Sequence, residues 1–351
     1  MNSHKPIASL SLDLDNQWSY LKTHGDKGWE SFPSYLDVLV PRALDFLQKR
    51  SLKITFFVVG QDAALDKNHD AIADISTRGH EIGNHSFSHE PWLHLYDALR
   101  VEQEIQLAEE HLEKVTGQRT IGFRGPGFSF TDTTRRVLEQ RGYLYDASTF
   151  PTFLGPLARI YYFLHSNLKD RDKRQRKALF GSLSNGFRPL KPYRWNGKDG
   201  LLEIPVTTMP ILRLPIHLSY ILYLSEVSAG LATFYFRAAI QLCKLTGVSP
   251  SLLLHPLDFL GCDDKVGLDF FPGMNLPAGR KIEVVGRILD IYSSEFNVVC
   301  MKDHALSVSE SIPTRDSAKG FAQPESNPSR VRPVQDEIEM TQESVETSRL
   351  A

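Results

Sequence analysis

An α/β fold, with a parallel sheet and helices packed outside it, open or closed into a barrel, is what this 351-residue sequence predicts. Three observations carry that prediction. Short apolar runs rich in β-branched and aromatic residues alternate with segments of helical period over most of the chain. Carboxylates and histidines recur at the ends of the apolar runs, where parallel α/β sheets gather their chemistry. No uninterrupted apolar stretch is long enough to span a membrane, which argues against a helical membrane class.

Residues 7–14 (IASLSLDL) read as the first strand, because Leu10, Leu12 and Leu14 alternate with Ser9, Ser11 and Asp13. Pro41, tolerated in a first turn, opens a helix through Leu44 and Leu47. Residues 54–59 (ITFFVV) form a fully buried strand ending at Gly60. A long amphipathic helix spans 97–115, with Leu99, Ile105, Leu112 and Val115 inward and Gly117 as its stop. Thr131 caps a helix to about Gln140, and Gly142 ends it. Later strands are expected at 201–206, 251–254 and 297–301, with helices near 229–245 and 280–292. Residues 154–200 break the rhythm and read as an insertion. Within it, 169–177 (KDRDKRQRK) hold six basic and two acidic residues, most simply a solvated face, more sharply a contact for phosphate or lipid headgroups. From Ala305 onward Ser, Glu, Pro and Gln dominate. Residues 305–351 are therefore expected to be a disordered tail behind a catalytic domain of 1–304.

With 41% hydrophobic and 23% charged residues the composition is that of a globular chain, long enough to bury a full core. A net charge of −2 sets up no field to recruit nucleic acid, and no nucleic-acid partner is expected. Cys243, Cys262 and Cys300 are widely spaced and form no CxxC pair. That argues against a disulfide framework or a thiolate zinc site and fits a reducing compartment. The first residues, MNSHKPIASLSLDLDNQW, show no basic stretch followed by an apolar one, so a cytoplasmic location is expected. PILRLPIHLSYILYL (210–224) reads first as a buried helix, and otherwise as an apolar lip in peripheral contact with a membrane.

The chemistry begins at Asp13 and Asp15. Two carboxylates separated by Leu14 at a strand's end point to one side of it, and repel unless a cation or an arginine neutralises them. In 79–91 (GHEIGNHSFSHEP), His85 and His89 are spaced i, i+4, which brings two imidazoles to one point. Neutral imidazole is a good ligand for zinc and its first-row neighbours. One carboxylate with this pair makes an Asp-His-His set that leaves coordination positions open, and the other carboxylate can act as a base. His80 reads as a satisfied core group; His94 could serve either way. In 123–128 (FRGPGF), Arg124 can pair with the extra carboxylate, and the turn at Pro126 and Gly127 can aim the Gly127 N–H at a developing oxyanion. His255 ends the apolar run of LLLHP (252–256), placed to protonate a leaving amine, with Asp146 or Asp258 as its orienter. Each element alone also has a plain structural reading: a loop cap, surface histidines, a Pro-Gly turn, a core histidine.

Taken in order, SLDLD, HSFSH, RGPG and LLLH resemble the motif series of the polysaccharide deacetylase (NodB-homology) family, over about residues 7–301. The resemblance implies a distorted, often incomplete (β/α) barrel. It implies a divalent metal, zinc first and Co, Mn, Ni or Fe as alternatives, held by Asp15, His85 and His89. It makes Asp13 the base, Arg124 the partner of Asp13, and His255 the general acid. The common family form has adjacent aspartates; the spaced pair here is similar to a branch of peptidoglycan-deacetylase-like and allantoinase-like proteins. The family's tryptophan-containing fourth motif is not evident after Arg124. The implied activity is hydrolysis of an N-acyl group, N-acetyl first, on a sugar or glycan precursor such as a lipid-linked or nucleotide-linked sugar. The alternatives are a deformylase or amidase on another C–N substrate, and a non-catalytic carbohydrate-binding relative. A DxD glycosyltransferase would need a nucleotide-binding half upstream, where only twelve residues stand. An Fe(II) oxygenase shares the ligand set, but its usual all-β scaffold does not suit a helix-rich chain.

Overall fold

Ile7–Leu14 forms strand β1, flanked by a strand on each side, and its alternation separates two buried faces rather than core from water. Leu10, Leu12 and Leu14 join the apolar layer under the outer helices, while Ser9, Ser11 and Asp13 are equally buried on the opposite, polar side. That is the signature of a strand in a sheet covered on both faces. The computed structural model describes residues 5–155, 183–197, 199–271, 273–309 and 312.

The remaining strands are β2 (Thr55–Val58), β3 (Glu81–Asn84), β4 (Gly122–Phe123), β5 (Tyr145–Asp146), β6 (Tyr193–Arg194), β7 (Leu202–Glu203), β8 (Ser251–Leu254) and β9 (Asn297–Val299). They lie in the order β6-β7-β5-β4-β3-β2-β1-β8, and β9 pairs with the first residues of β1. Every pairing is parallel except the β6–β7 edge. The result is a curled half-barrel of α/β type, as the resemblance implied. Its open side is bridged where the Thr207 N–H donates to Ser251 O at 3.0 Å.

The helices are α1 (Gln17–His24), α2 (Leu36–Gln48), α3 (Gly60–Ala63), α4 (His69–Thr77), α5 (Ala98–Thr116), α6 (Asp132–Gln140), α7 (Leu218–Val227), α8 (Ala229–Thr246), α9 (Ala278–Glu295) and α10 (Met301–Ser309). Their ends follow the local chemistry. The Asp97 side chain accepts from Arg100 N and Thr131 from Thr134 N, and Gly117 closes α5 in the left-handed region.

Four expectations are corrected. Pro41 lies inside α2, which starts five residues earlier at Leu36. Both Pro41 and Asp37, whose carbonyl loses its partner, are exposed, so water can satisfy that oxygen. Leu99 is exposed in the first turn of α5; the inward stripe is Val101, Glu104, Ile105, Ala108 and Leu112. The strands expected at 201–206 and 297–301 are shorter, Leu202–Glu203 and Asn297–Val299. Helix α10 crosses the boundary set after residue 304, with Met301, His304 and Ala305 buried. Of the tail, 310–311 and 313–351 lie outside the described residues, and so does 156–182 of the insertion with its basic run. The described part of the insertion supplies edge strand β6. The 210–224 stretch divides into α7, whose Leu218, Ile221 and Leu222 are buried, and a preceding turn that leaves Ile211 and Leu212 exposed. Among the described residues no helix is long and apolar enough to cross a membrane.

Candidate metal centre and hydrolytic site

The C-terminal ends of β1, β3, β4 and β8 converge, and each delivers one of the singled-out motifs. Asp15 follows β1, and His85 follows β3. The turn to His89 folds back so that both imidazoles face the Asp15 carboxylate. Asp15 Oδ1 lies 3.3 Å from His85 Nε2 and 2.8 Å from His89 Nε2. Two donor atoms each about 2.1 Å from a common ion stand about 3.0–3.4 Å apart at octahedral to tetrahedral angles; the His85 separation lies in that range and the His89 separation just short of it. The three ligand atoms all lie within 4.8 Å of one another.

The protonation states suit a cation. His85 Nδ1–H donates to Arg124 O at 2.6 Å, which fixes the tautomer and turns the Nε2 lone pair to Asp15. Burial alone would push Asp15 up, but His89 and His85 hold it well below the usual carboxylate range. Burial opposes charge on His85 too, and Asp15 and Asp13 nonetheless raise it above the ordinary imidazole value. An anionic oxygen facing two imidazoles thus draws positive charge into this spot. His89 Nδ1 is buried without a hydrogen-bond partner among the described residues, so the ring is placed by its loop and by Trp18, edge-on at 6.4 Å.

Asp13, one step back on β1, receives Arg124 Nη1 at 2.5 Å. Arg124 is wholly buried. Its Nη1 also donates to Ser11 Oγ at 2.9 Å and its Nε to Ala147 O at 3.0 Å, and the guanidinium lies 4.3 Å from the centre of the Phe57 ring. A planar donor fork inside an apolar, hydrogen-bonded cage keeps a carboxylate charged and oriented. Gly127 sits in the left-handed region at φ 57°, in the turn after β4, and a Cβ there would lie 3.4 Å from Pro91, two residues beyond His89.

His255 follows β8. The register Leu12↔Leu254 places it beside Asp13 on the neighbouring strand. Of its two candidate orienters, Asp258 is the neighbour. Asp258 Oδ2 accepts the His255 N–H at 2.8 Å, and Ser219 Oγ stands between Asp258 Oδ1 (2.7 Å) and His255 Nδ1 (3.1 Å). Asp146 instead accepts from Ser148 and lies across from Glu203 in the sheet. Burial, then Glu203, push its pKa well up. His80 is a core group: its Nδ1 accepts the Ile54 N–H, and burial lowers it to about 4. His94 meets Ser129 Oγ with both its backbone N–H and its Nδ1, at 2.8 and 3.0 Å.

Four contributors escape the sequence reading. Asn84 Oδ1 accepts the Ser86 N–H at 2.8 Å. Glu104 Oε2 accepts the N–H groups of Phe87 and Ser88 at 3.1 and 2.8 Å. The Tyr35 hydroxyl donates to Asp15 O, and Ser219 holds His255 as above. Glu104 alone left a signal, a carboxylate on the apolar stripe of α5.

A curled, mostly parallel sheet with an Asp-His-His cluster, a caged Asp–Arg pair and a histidine at its strand ends defines an α/β barrel with a candidate metal-dependent hydrolytic site. Comparison with known proteins narrows the class. Residues 26–145 match the polysaccharide deacetylase family, a stretch that holds His85, His89, Arg124 and Gly127 but not Asp13, Asp15 or His255. The chain is 26% identical over 149 residues to a peptidoglycan deacetylase of Helicobacter pylori, covering 40% of this chain and 49% of that protein. It is 33% identical over 110 residues to the peptidoglycan-N-acetylmuramic acid deacetylase PdaA of Bacillus subtilis, covering 31% and 41%. The chain thus spans less than half the length of these curated relatives. A crystal structure of a Mycobacterium smegmatis protein assigned as a polysaccharide deacetylase shares the fold. Its TM-score is 0.60 at 20% identity, over 93% of this chain and 97% of that one. One from Pseudomonas aeruginosa PAO1, assigned likewise, gives 0.55 at 19% identity, over 88% and 92%. The chain is thus similar to polysaccharide deacetylases over residues 26–145, and it shares its fold with these two solved structures.

Proposed function

We propose that this protein is a metal-dependent hydrolase that removes an N-acyl group, N-acetyl first, from a sugar of a glycan or glycan precursor. The observation that carries the reading is the convergence at one strand-end cluster of three ligand atoms, a caged carboxylate and a histidine on the next strand. Asp15, His85 and His89 would hold a divalent cation, zinc first among Zn²⁺, Co²⁺, Mn²⁺, Ni²⁺ and Fe²⁺ by its preference for imidazole and carboxylate. When bound, such a cation polarises a carbonyl and lowers the pKa of a coordinated water.

The protein's own groups do the rest. Asp13, kept charged by Arg124, accepts a proton from the attacking water. The turn at Gly127 offers its N–H to the oxygen that gains charge as the amide carbonyl becomes tetrahedral. His255 delivers a proton to the departing nitrogen, so that an amine rather than an amide anion leaves. The peptidoglycan deacetylases among the relatives make N-acetylated amino sugars the first substrates to try.

Metal content and acetate release test this together. The purified protein should carry a divalent metal, and Asp15→Ala and His85→Ala should each lose it. Asp13→Asn should keep the metal and lose about 10²- to 10⁴-fold in kcat, the usual range for removing a general base. Undiminished metal in both ligand variants would overturn the site. No acetate from N-acetylated chitooligosaccharides under any of the five metals would overturn the activity.

A further inference from the structure

His255 has an anchor that none of the sequence motifs supplies. Ser219 is the second residue of α7, with its Oγ 2.7 Å from Asp258 Oδ1 and 3.1 Å from His255 Nδ1. A hydroxyl owns one proton and two accepting lone pairs, whereas an ionised carboxylate only accepts. The serine proton therefore goes to Asp258, and the serine oxygen is left to accept Nδ1–H of the imidazole. Asp258 cannot swing away, because its other oxygen accepts the His255 backbone N–H at 2.8 Å. Burial pushes Asp258 up, while His255, its backbone N–H, the Ser219 hydroxyl and Lys281 pull it down. Helix α7 is held in turn, since Leu218, Ile221 and Leu222 are buried and the helix packs on β8 and on the Pro256–Asp258 turn.

We propose that Ser219 is a positioning residue for His255, relaying the hold of Asp258 to Nδ1 and leaving Nε2 as the nitrogen that exchanges a proton with substrate. The inference rests on the reading of His255 as proton donor. The ring takes its second proton at Nε2 and gives it up from the same atom to the leaving nitrogen, so Nδ1–H stays on Ser219 throughout. The groups around His255 are Asp258 on its own turn, Ser219 and His217 from the α7 side, and Asp13 on β1. The His217 ring is 5.8 Å away and is lowered to about 3 by burial and by His255. Tyr20 and Lys281 also interact electrostatically with Asp258, and Lys281 Nζ donates to Leu257 O. None of these other groups is hydrogen-bonded to Nδ1 in Ser219's place.

The test reads the tautomer directly. In two-bond ¹H–¹⁵N spectra of the ¹⁵N-histidine-labelled full-length chain, His255 is assigned by the signal lost in His255→Gln. The wild type should show Nδ1–H. Ser219→Ala should show Nε2–H or a mixture and a displaced His255 titration, and Ser219→Thr should keep the wild-type pattern. These spectra require no turnover, so they stand apart from the assay of acetate release that tests the activity itself. In that assay, with acetylated chitooligosaccharide, Ser219→Ala should lower kcat about 10- to 100-fold at near-constant KM and move a limb of the pH profile, with Ser219→Thr restoring both. A wild-type Nε2–H tautomer, with the proton on Asp258 instead, would overturn the relay. So would a Ser219→Ala protein with unchanged spectra and an unchanged pH profile.

Discussion

Asp62 shows how much of the site rests on residues that touch no ligand. It is fully buried behind Asp15, and its Oδ1 receives Asn16 Nδ2 at 2.7 Å and Trp18 Nε1 at 2.9 Å, pinning the turn that follows β1. Its Oδ2 has no partner among the described residues, and burial raises its pKa to about 7 against the pull of those donors. The sign follows from linkage. The folded protein binds this proton more tightly than the unfolded chain, whose Asp titrates near the ordinary carboxylate value of 3.8. The resulting stability is complete below that value and is lost as pH rises through about 7. Asp62→Asn keeps an accepting oxygen for Asn16 and Trp18 and never ionises. Its unfolding temperature should therefore gain on the wild type between pH 5 and pH 8, and a gap constant with pH would show that Asp62 does not titrate there. At this scale the members of the candidate site were legible where the residue type is itself diagnostic, as with Asp13, Asp15, His85, His89, Arg124 and His255. Asn16, Asn84, Ser219 and Tyr35 were not, because a lone amide or hydroxyl has many uses and only its three-dimensional neighbours select one.

The loop from β3 to α5 shows why two histidines spaced i, i+4 can converge without a helix. Ser86 and His89 both have positive φ, 60° and 51°, a conformation that costs a non-glycine residue about 1–2 kcal/mol. Such geometry persists where its surroundings over-determine it. Here Asn84 binds the Ser86 N–H, and Glu104, reaching from α5, binds the next two backbone N–H groups. A buried carboxylate answering two N–H donors keeps its hold only while it stays an acceptor. Glu104→Gln, with one accepting oxygen left, should retain most metal affinity. Glu104→Ala should weaken Zn²⁺ binding about 10- to 100-fold in a chelator competition titration, with the helical circular dichroism unchanged. Affinity equal to wild type would mean the loop holds its shape unaided. The ends of α5 and α6 could be read from Asp97, Gly117, Thr131 and Gly142, since caps are local chemistry. The two-residue strands β5 and β6 could not, because two residues display no period, and α1 and α4 show too short an apolar stripe to be read.

At the scale of the whole molecule, α10, the last helix among the described residues, packs against the sheet. Two backbone N–H groups at the start of α10 are taken up by side chains from the sheet, Met301 N by Thr55 Oγ1 at 2.7 Å and Lys302 N by Glu81 Oε2 at 2.9 Å. His304 Nδ1 meets Ser9 Oγ at 2.9 Å, and Met301 Sδ lies 3.6 Å from Arg124 Nη2. The composition of this segment pointed to a disordered tail from Ala305, because an average over Ser-rich sequence cannot see that three residues on one face suffice to anchor a short helix. Ser307 and Ser309 bond back to carbonyls of their own helix, while Met301, His304 and Ala305 are the buried positions. This helix and the site therefore meet at one guanidinium, with Met301 on one side of Arg124 and Asp13 on another. Met301→Ala should cost about 2–5 kcal/mol in denaturant unfolding, the range for emptying a buried methionine site. Its functional consequence should be selective. Asp15, His85 and His89 do not touch α10, so Zn²⁺ affinity should hold, while kcat should fall because the cage that orients Asp13 through Arg124 has lost a wall. If metal affinity fell in step with kcat, the helix would be supporting the whole strand-end cluster, and the separation between the ligand triad and the Asp13–Arg124 pair would have to be given up.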